Sequence, residues 1–185
     1  MVLTVPTHDL LRLAPAAVSS FDFETMYRSH VDVLWRFLER LGVPPRHLED
    51  ATQDTFVIAH RQLGAFRGDS SLNTWLHGIA LKVAKDYRRK DQRKGSWEEL
   101  SDSTVDPGTS PHEATARRQE LELVLRLLEQ LEETHRTVFV LVEFEGFTSP
   151  EVAALTETNV NTVSTRLRAA RLRFNELVQA MGDLQ

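Results

Sequence analysis

Between Leu72 and Lys90 the apolar residues return at steps of three and four: Leu72, Trp75, Leu76, Ile79, Ala80, Val83, Ala84 and Tyr87. That spacing puts them on one face of a single long helix. Lys82, Lys85, Arg88, Arg89 and Lys90 fall elsewhere on its surface, and Arg93 and Lys94 follow. A helix that buries one side and offers cations on the other suits a polyanion, although a core helix with a solvated basic face carries the same pattern. The loop before it reads Phe66-Arg67-Gly68-Asp69-Ser70-Ser71. An aromatic, an arginine, a glycine and small hydroxyls can together hold an unstacked base.

The same period governs most of the chain and predicts an all-α fold. Asp22 can cap a helix running to Leu41, with Phe23, Met26, Tyr27, His30, Val31, Leu34, Trp35, Leu38 and Leu41 as its stripe. His30 in that stripe reads as a satisfied core histidine. Gly42, Pro44 and Pro45 end this helix and start the next, from about Arg46 to Leu63. Leu48, Ala51, Thr55, Phe56, Ala59 and Leu63 make its inner side, and Glu49, Asp50, Gln53 and Asp54 cluster outside near its start. Acids in a first turn complement the helix dipole, and they can equally meet a basic partner surface. Ser70 or Ser71 can cap the basic helix.

From Gly95 to Ala116 the periodicity stops, and serines, prolines and scattered acids take over. A stretch of about 20 residues is long for a loop inside one domain. The expected organisation is an N-terminal arm (1–20), a helical domain (21–94), a flexible linker (95–116) and a second helical domain (117–185). The second half restarts as helix near Glu113, with Leu121, Val124, Leu125, Leu128 and Leu131 inward, then a shorter helix from about Glu133 to Glu145. Thr148-Ser149-Pro150-Glu151 has the hydroxyl, proline and glutamate of a capping box. The brief helix it opens ends near Leu155. After the turn Thr156-Glu157-Thr158-Asn159, a long helix runs from Val160 to about Met181.

A short helix, a tight turn and a second helix form a helix-turn-helix. In the last helix Val160, Val163, Leu167, Ala170, Phe174 and Leu177 are expected inward. Asn161, Thr162, Ser164, Thr165, Arg166, Arg168 and Arg171 lie outward or flank that stripe. Residues near the start of a recognition helix reach base edges, where arginine reads guanine, asparagine reads adenine and threonine meets the thymine methyl.

A net charge of −5 argues at first against a nucleic-acid partner. Its distribution reverses that. Lys82 to Lys94 holds seven cations against Asp86 and Asp91, and Val160 to Phe174 holds four arginines and no acid. The acids gather at Glu98–Glu113 and Glu120–Glu157, which suggests a separate acidic surface for a protein partner. With no cysteine there are no disulfides or thiolate zinc sites. No run approaches the length of a membrane span, about 18 apolar residues. The start lacks the pattern of a signal peptide. A cytoplasmic protein without membrane insertion is expected. Asp50, Asp54 and Asp69 have no histidine or third carboxylate at a metal-site spacing, and there is neither a phosphate-cradling glycine loop nor a nucleophile motif. No metal, no cofactor and no enzymatic activity are expected.

With these strings in order, the chain resembles the σ factors of bacterial RNA polymerase, in their small two-domain extracytoplasmic-function group. The matching segments are Asp50-Ala51-Thr52-Gln53-Asp54-Thr55-Phe56, then Phe66 to Leu76, Ile79-Ala80 and Asp86-Tyr87-Arg88-Arg89. In the second half they are Leu131, Arg136, Phe139, Glu145-Gly146, Glu151-Val152-Ala153, Thr162-Val163, Arg166-Leu167 and Arg171. The resemblance implies two domains, σ region 2 and σ region 4, on either side of the linker. It implies that Asp50, Gln53 and Asp54 dock the β′ clamp helices of core RNA polymerase, which also engages the protein through its β subunit. Phe66, Arg67, Asp69, Ser70 and Ser71 would capture a flipped base of the −10 strand. Asn73, Lys82, Lys85, Arg88 and Arg89 would contact the −10 element. Asn161, Thr162, Ser164, Thr165, Arg166, Arg168 and Arg171 would read the −35 element. The linker would thread toward the RNA exit path. An anti-σ factor, which can be membrane-bound, is an expected partner.

Several positions depart from the family pattern. Gly78 sits mid-helix, Leu81 and Lys82 stand where arginine and asparagine are frequent, and Glu132 replaces a frequent proline. Thr156 and Glu157 replace a Leu-Gly turn, and Asn161, Ser164 and Ala169 replace a glycine, a lysine and an arginine. Glutamate is poor at a left-handed turn position, so a strained or differently built turn is expected there. These departures leave a second reading: a σ-like mimic that binds an anti-σ factor or core polymerase without opening promoters.

Overall fold

The computed structural model of the protein describes residues 22–94 and 111–182. Among them every regular element is helical: α1 Phe23–Arg40, α2 Leu48–Gln62, α3 Leu72–Lys94, α4 Pro111–Glu129, α5 Glu133–Phe139, α6 Ser149–Leu155 and α7 Val160–Gly182. The expected arm, and residues 95–110 of the expected linker, lie outside the described residues. Helix α4 opens at Pro111, two residues ahead of the expected Glu113 start.

In the first domain α1, α2 and α3 pack against one another. The Asp22 carboxylate accepts from the Glu24 and Thr25 amides at 3.2 and 3.3 Å, capping α1 as its sequence predicts. The Thr25 hydroxyl, then the Glu24 amide, hold that carboxyl below its ordinary range. Met26, Leu34, Leu38, Ala51, Phe56, Ala59, Leu76, Ala80 and Ala84 fill the core. Tyr27 and Trp35, expected in the stripe, remain 42 and 38 % exposed at its rim. His30 is buried as expected, but only its Nδ1 is bonded, to the Met26 carbonyl at 2.9 Å; its Nε2 has no partner. Burial lowers the pKa of this ring.

In the second domain the helix expected from Glu133 to Glu145 changes register. The α-helix α5 gives way to a π-turn over Val140–Phe144, closed by the Glu145 amide donating to the Val140 carbonyl at 3.2 Å. Glu143 within this turn pairs with Arg171, and Glu145 just past it pairs with Arg40. Glu132, at the position of the missing proline, caps α5 by accepting from the Thr134 amide at 3.3 Å and the Thr134 hydroxyl at 2.8 Å. The Thr134 hydroxyl is the first cause of its lowered pKa. The Thr148 amide and hydroxyl both donate to the Glu151 carboxylate, at 2.8 and 2.7 Å, so the predicted box forms at the start of α6.

The turn from α6 to α7 carries the expected strain. Glu157 has φ +54°, and it is the sole non-glycine with positive φ among the described residues. The Thr158 amide donates to the Ala153 carbonyl at 2.9 Å, and the Glu157 amide reaches Ala154 at 3.4 Å, the pairing of a Schellman cap that usually holds glycine. The Thr156 hydroxyl, bonded to the Val152 carbonyl at 2.7 Å, fixes the turn further. Relief of the left-handed cost, less the chain entropy that glycine adds, gives Glu157→Gly an expected gain of about 0.5–1 kcal/mol. Urea denaturation measures it, and a variant no more stable than the parent would show that the turn is unstrained.

Helix α7 buries Val163, Leu167, Ala170 and Leu177, and Phe174 stacks on Phe139 at 4.9 Å. Val160, expected inward, is 42 % exposed at the first position of α7, one turn ahead of the buried Val163. Leu121 on α4 is likewise 39 % exposed.

The two domains pack directly on each other. Helix α6 lies on α3, and α4 touches α1. Arg40 of α1 donates to Glu145 at 3.1 Å, and the Nε2 of His77 on α3 lies 3.4 Å from the other oxygen of that carboxylate. The fully buried His77 ring sits between Phe37 of the first domain, at 4.6 Å, and Phe147 of the second, at 5.0 Å. Further along, Arg88 of α3 pairs with Glu133 of α5 at 2.7 Å, and Arg88 and Arg136 both donate to the Leu41 carbonyl. Gly42 is favoured there by its left-handed backbone, φ +83°, and a Cβ would also displace the Arg136 guanidinium. Gly78 is half-buried beneath α6, where a Cβ would stand 3.4 Å from Leu155.

Candidate nucleic-acid interface

Two surfaces gather the expected contact residues. On the first, the short connection from α2 bends at Gly68, with φ +76°. Phe66 is half-buried and packs its ring on Trp75 at 5.0 Å, which fixes one wall of the loop. Arg67, Asp69 and Ser70 are exposed. Ser71 resolves the choice of cap: its Oγ accepts from the Thr74 amide at 3.0 Å. Ser71 therefore starts α3 and Ser70 faces outward.

Along α3, Lys82, Lys85 and Arg89 are exposed at i, i+3 and i+7, forming one cationic strip opposite the core. Asn73 lies away from that strip, and its carbonyl accepts from His77 at 2.8 Å. Arg88 also leaves it: this side chain is only 10 % exposed, bound to Glu133 and the Leu41 carbonyl. The structure thus separates residues that the sequence groups together.

Asp50, Gln53 and Asp54 are exposed on one side of α2. Asp54 accepts from the Tyr87 hydroxyl at 2.8 Å, a link between α2 and α3 that the sequence did not announce. Desolvation first, then Asp54, push the Tyr87 hydroxyl up to about 12. The neutral phenol therefore donates at all physiological pH values and holds that carboxylate in place.

The second surface is the start of α7. Asn159 caps it, its Oδ1 accepting from the Thr162 amide at 2.7 Å. At 100° per residue, Asn161, Thr165 and Arg168 run along the outermost strip, Thr162 and Arg166 flank it on one side, and Ser164 and Arg171 on the other. Asn159, Asn161, Thr162, Thr165 and Arg166 line an open cleft of about 520 Å³. Arg166 is half-buried and lies within electrostatic reach of Glu132. Arg171 is committed elsewhere: its Nε and Nη2 grip Glu143 at 2.7 and 2.6 Å. Ser164 bonds back to the Val160 carbonyl at 3.0 Å.

Three residues with parts in these surfaces escaped the sequence: Tyr87 behind Asp54, Asn159 in the cleft, and Glu143 on Arg171. The asparagine before the α7 pattern was a legible capping signal; the other two depend on tertiary neighbours. Among the described residues no group of three or more His, Asp or Glu is placed to hold a metal ion, and no helix is long and apolar enough to cross a membrane.

A family profile described as Sigma-70 region 2 matches residues 26–94, and one described as Sigma-70, region 4 matches residues 121–174. The RNA polymerase sigma-H factor of Pseudomonas aeruginosa is 32% identical over 142 residues, 72% of this chain and 74% of that one. Among solved structures, CnrH in complex with the cytosolic domain of CnrY aligns with a TM-score of 0.65 at 28% identity, covering 85% of this chain and 88% of the other. The sigma factor RpoE in complex with the anti-sigma factor NepR from Bartonella quintana has a similar fold, with a TM-score of 0.66 at 21% identity over 86% of this chain and 98% of that one.

Proposed function

The chain belongs to the σ70 family of RNA polymerase sigma factors, in the extracytoplasmic-function group to which its 30% identical sigma-E relatives belong, and from that premise we propose that it carries core RNA polymerase to promoters by reading −35 and −10 elements and helps to open the −10 region. Its relatives are transcription initiation factors and not enzymes. Binding energy therefore does the work. The exposed start of α7, with its open cleft beside Arg166, carries this reading: a groove can reach Asn161, Thr162, Thr165 and Arg166 without rearrangement of the helix.

In this scheme α7 sets the register at −35, while Lys82, Lys85 and Arg89 hold −10 phosphates. One base leaves the stack into the Phe66–Ser71 loop. Unstacking costs a few kcal/mol, and stacking on an aromatic side chain, about 1–3 kcal/mol per base, offsets it. Asp50, Gln53 and Asp54 dock the β′ clamp helices, and the β subunit completes the holoenzyme. The domain division at residues 21–94 and 117–185 follows from these roles. The protein acts in the cytoplasm, and an anti-σ factor is its expected antagonist, since a similarly folded σ factor is captured by one.

Pull-down with core polymerase followed by run-off transcription on genomic promoters tests the reading. Promoter-specific product is expected. No product from any promoter, with tight anti-σ binding retained, would identify a σ mimic instead. A finer test is the Lys82→Ala/Lys85→Ala/Arg89→Ala triple variant. Each phosphate contact contributes roughly 0.9 to the slope of log affinity against log salt, so the holoenzyme's slope on promoter duplex is expected to flatten by about 2–3. An unchanged slope would remove this strip from the −10 interface.

A further inference from the structure

We propose that Tyr87 is a positioning residue for the docking of core RNA polymerase: from α3 it fixes the Asp54 carboxylate of α2 in the orientation that the polymerase meets. The inference rests on the reading above, in which Asp50, Gln53 and Asp54 form the dock. The sequence places Tyr87 on the inner stripe of α3, among residues that only pack. Its hydroxyl nonetheless leaves that stripe and donates to the Asp54 Oδ2 at 2.8 Å.

The dock needs such a support. Asp50 and Asp54 are both exposed and stand one helical turn apart, so their like charges repel across the face. A carboxylate on an open helix surface also moves among rotamers, and a partner that meets one of them must restrict it, which weakens binding. The phenol acts on both terms. Its proton offsets part of the repulsion on Asp54, and its fixed position selects one orientation before the polymerase arrives. Asp50 lies near enough to add to the upward shift of the Tyr87 hydroxyl, after desolvation and Asp54, so the donor stands beside two of the three docking side chains.

Tyr87 is itself held. It is half-buried, its ring lies 5.6 Å from that of His47, and the Lys90 ammonium rests 4.8 Å from the ring centre. One turn further along α3, Asp91 binds Arg46 and lies 3.5 Å from the Nε2 of His47, both residues standing just ahead of α2. The start of α2 is thus tied to the end of α3, and the phenol adds a second tie further along α2. The exposed strip of Lys82, Lys85 and Arg89 has no part in these contacts. A side chain of the basic helix therefore serves the acidic face of its neighbour.

The affinity for core polymerase is measured for four full-length proteins: the parent, Tyr87→Phe, Asp54→Ala and the double variant. Tyr87→Phe keeps the ring and removes only the hydroxyl. It is expected to weaken core binding about 5-fold, a part of what a hydrogen bond to a charged group contributes. In the Asp54→Ala background the same substitution is expected to change affinity by less than about twofold, because no carboxylate remains to be positioned. A general loosening of α3 would weaken both backgrounds alike, and that result overturns the proposal. So does a Tyr87→Phe protein that binds core like the parent while Asp54→Ala binds weakly; the docking reading then survives. Urea denaturation of the same four proteins, without polymerase, reads the pair directly. The two substitutions are expected to lower the midpoint non-additively, and strictly additive shifts overturn the hydrogen bond. If the midpoints are non-additive but Asp54→Ala binds core like the parent, the bond stands, the docking reading of Asp54 falls, and the positioning role falls with it.

Discussion

Replacing Phe37 with alanine is expected to lower the unfolding free energy by about 3–5 kcal/mol. Phe37 is fully buried, and its ring lies 4.6 Å from that of His77, itself 5.0 Å from Phe147. Truncation removes the transfer free energy of the ring and leaves a void that the packed helices α1 and α3 can only partly close. Small helical proteins hold about 5–15 kcal/mol in total, so this one change takes a large share. It also leaves His77 unsupported on the side facing the first domain, so the contact with Glu145 is expected to loosen together with the core. Equilibrium denaturation in urea, followed by far-ultraviolet circular dichroism, measures the loss. A loss below about 1 kcal/mol would mean the site collapses without a void, and would contradict the packing described.

Arg166→Ala carries the largest expected functional effect. A well-placed arginine on a base edge discriminates by about 1–3 kcal/mol, which is roughly 5- to 150-fold in binding. Promoters that depend on −35 are therefore expected to lose that factor in run-off transcription, while promoters that lean on −10 stay near the parent. Arg166 is half-buried at the cleft, so some loss of stability is expected to accompany the loss of charge. Arg166→Met, which keeps the apolar stem, separates the two: it is expected to restore stability and not −35 activity. Equal activity of the alanine variant on both promoter classes would falsify the assignment of α7 as the reader.

The elements were legible because their signals are local. Asp22 and the Thr148–Glu151 box announced helix starts, and the structure places hydrogen bonds at both. The stripe Val163, Leu167, Ala170 and Leu177 is buried as its period dictates. Glu157 was legible as a strained turn, since only backbone sterics are needed to see that a glutamate fits φ +54° poorly. The exposed residues Asn161, Thr165 and Arg168 follow from the same period read from the other side.

Departures from the sequence reading occur where a second partner intervenes. Phe37 shares the buried face of α1 with Met26, His30 and Leu34, whereas His77 lies at the edge of the α3 stripe, where Phe147 of the second domain meets it. A single helical period encodes one buried face; a helix packed on two sides hides the second in apparently irregular residues. Gly78, a mid-helix departure from the family pattern, lies half-buried where a Cβ would stand 3.4 Å from Leu155 of α6. The π-turn arose in a segment whose pattern reads as plain helix, and Glu145 just past it pairs with Arg40 of the first domain.

By itself, then, the sequence determined the helices, their caps, the two basic segments and the family, because each depends on spacing and composition within a few turns of chain. Only the tertiary structure decided which cations are free: Lys82, Lys85 and Arg89 face outward, while Arg88 and Arg171 are held by Glu133 and Glu143. The physical reason is that a charge is available or committed according to the carboxylate beside it. The partners of Arg88 and Arg171 stand 45 and 28 residues away in the chain, beyond the reach of any local pattern.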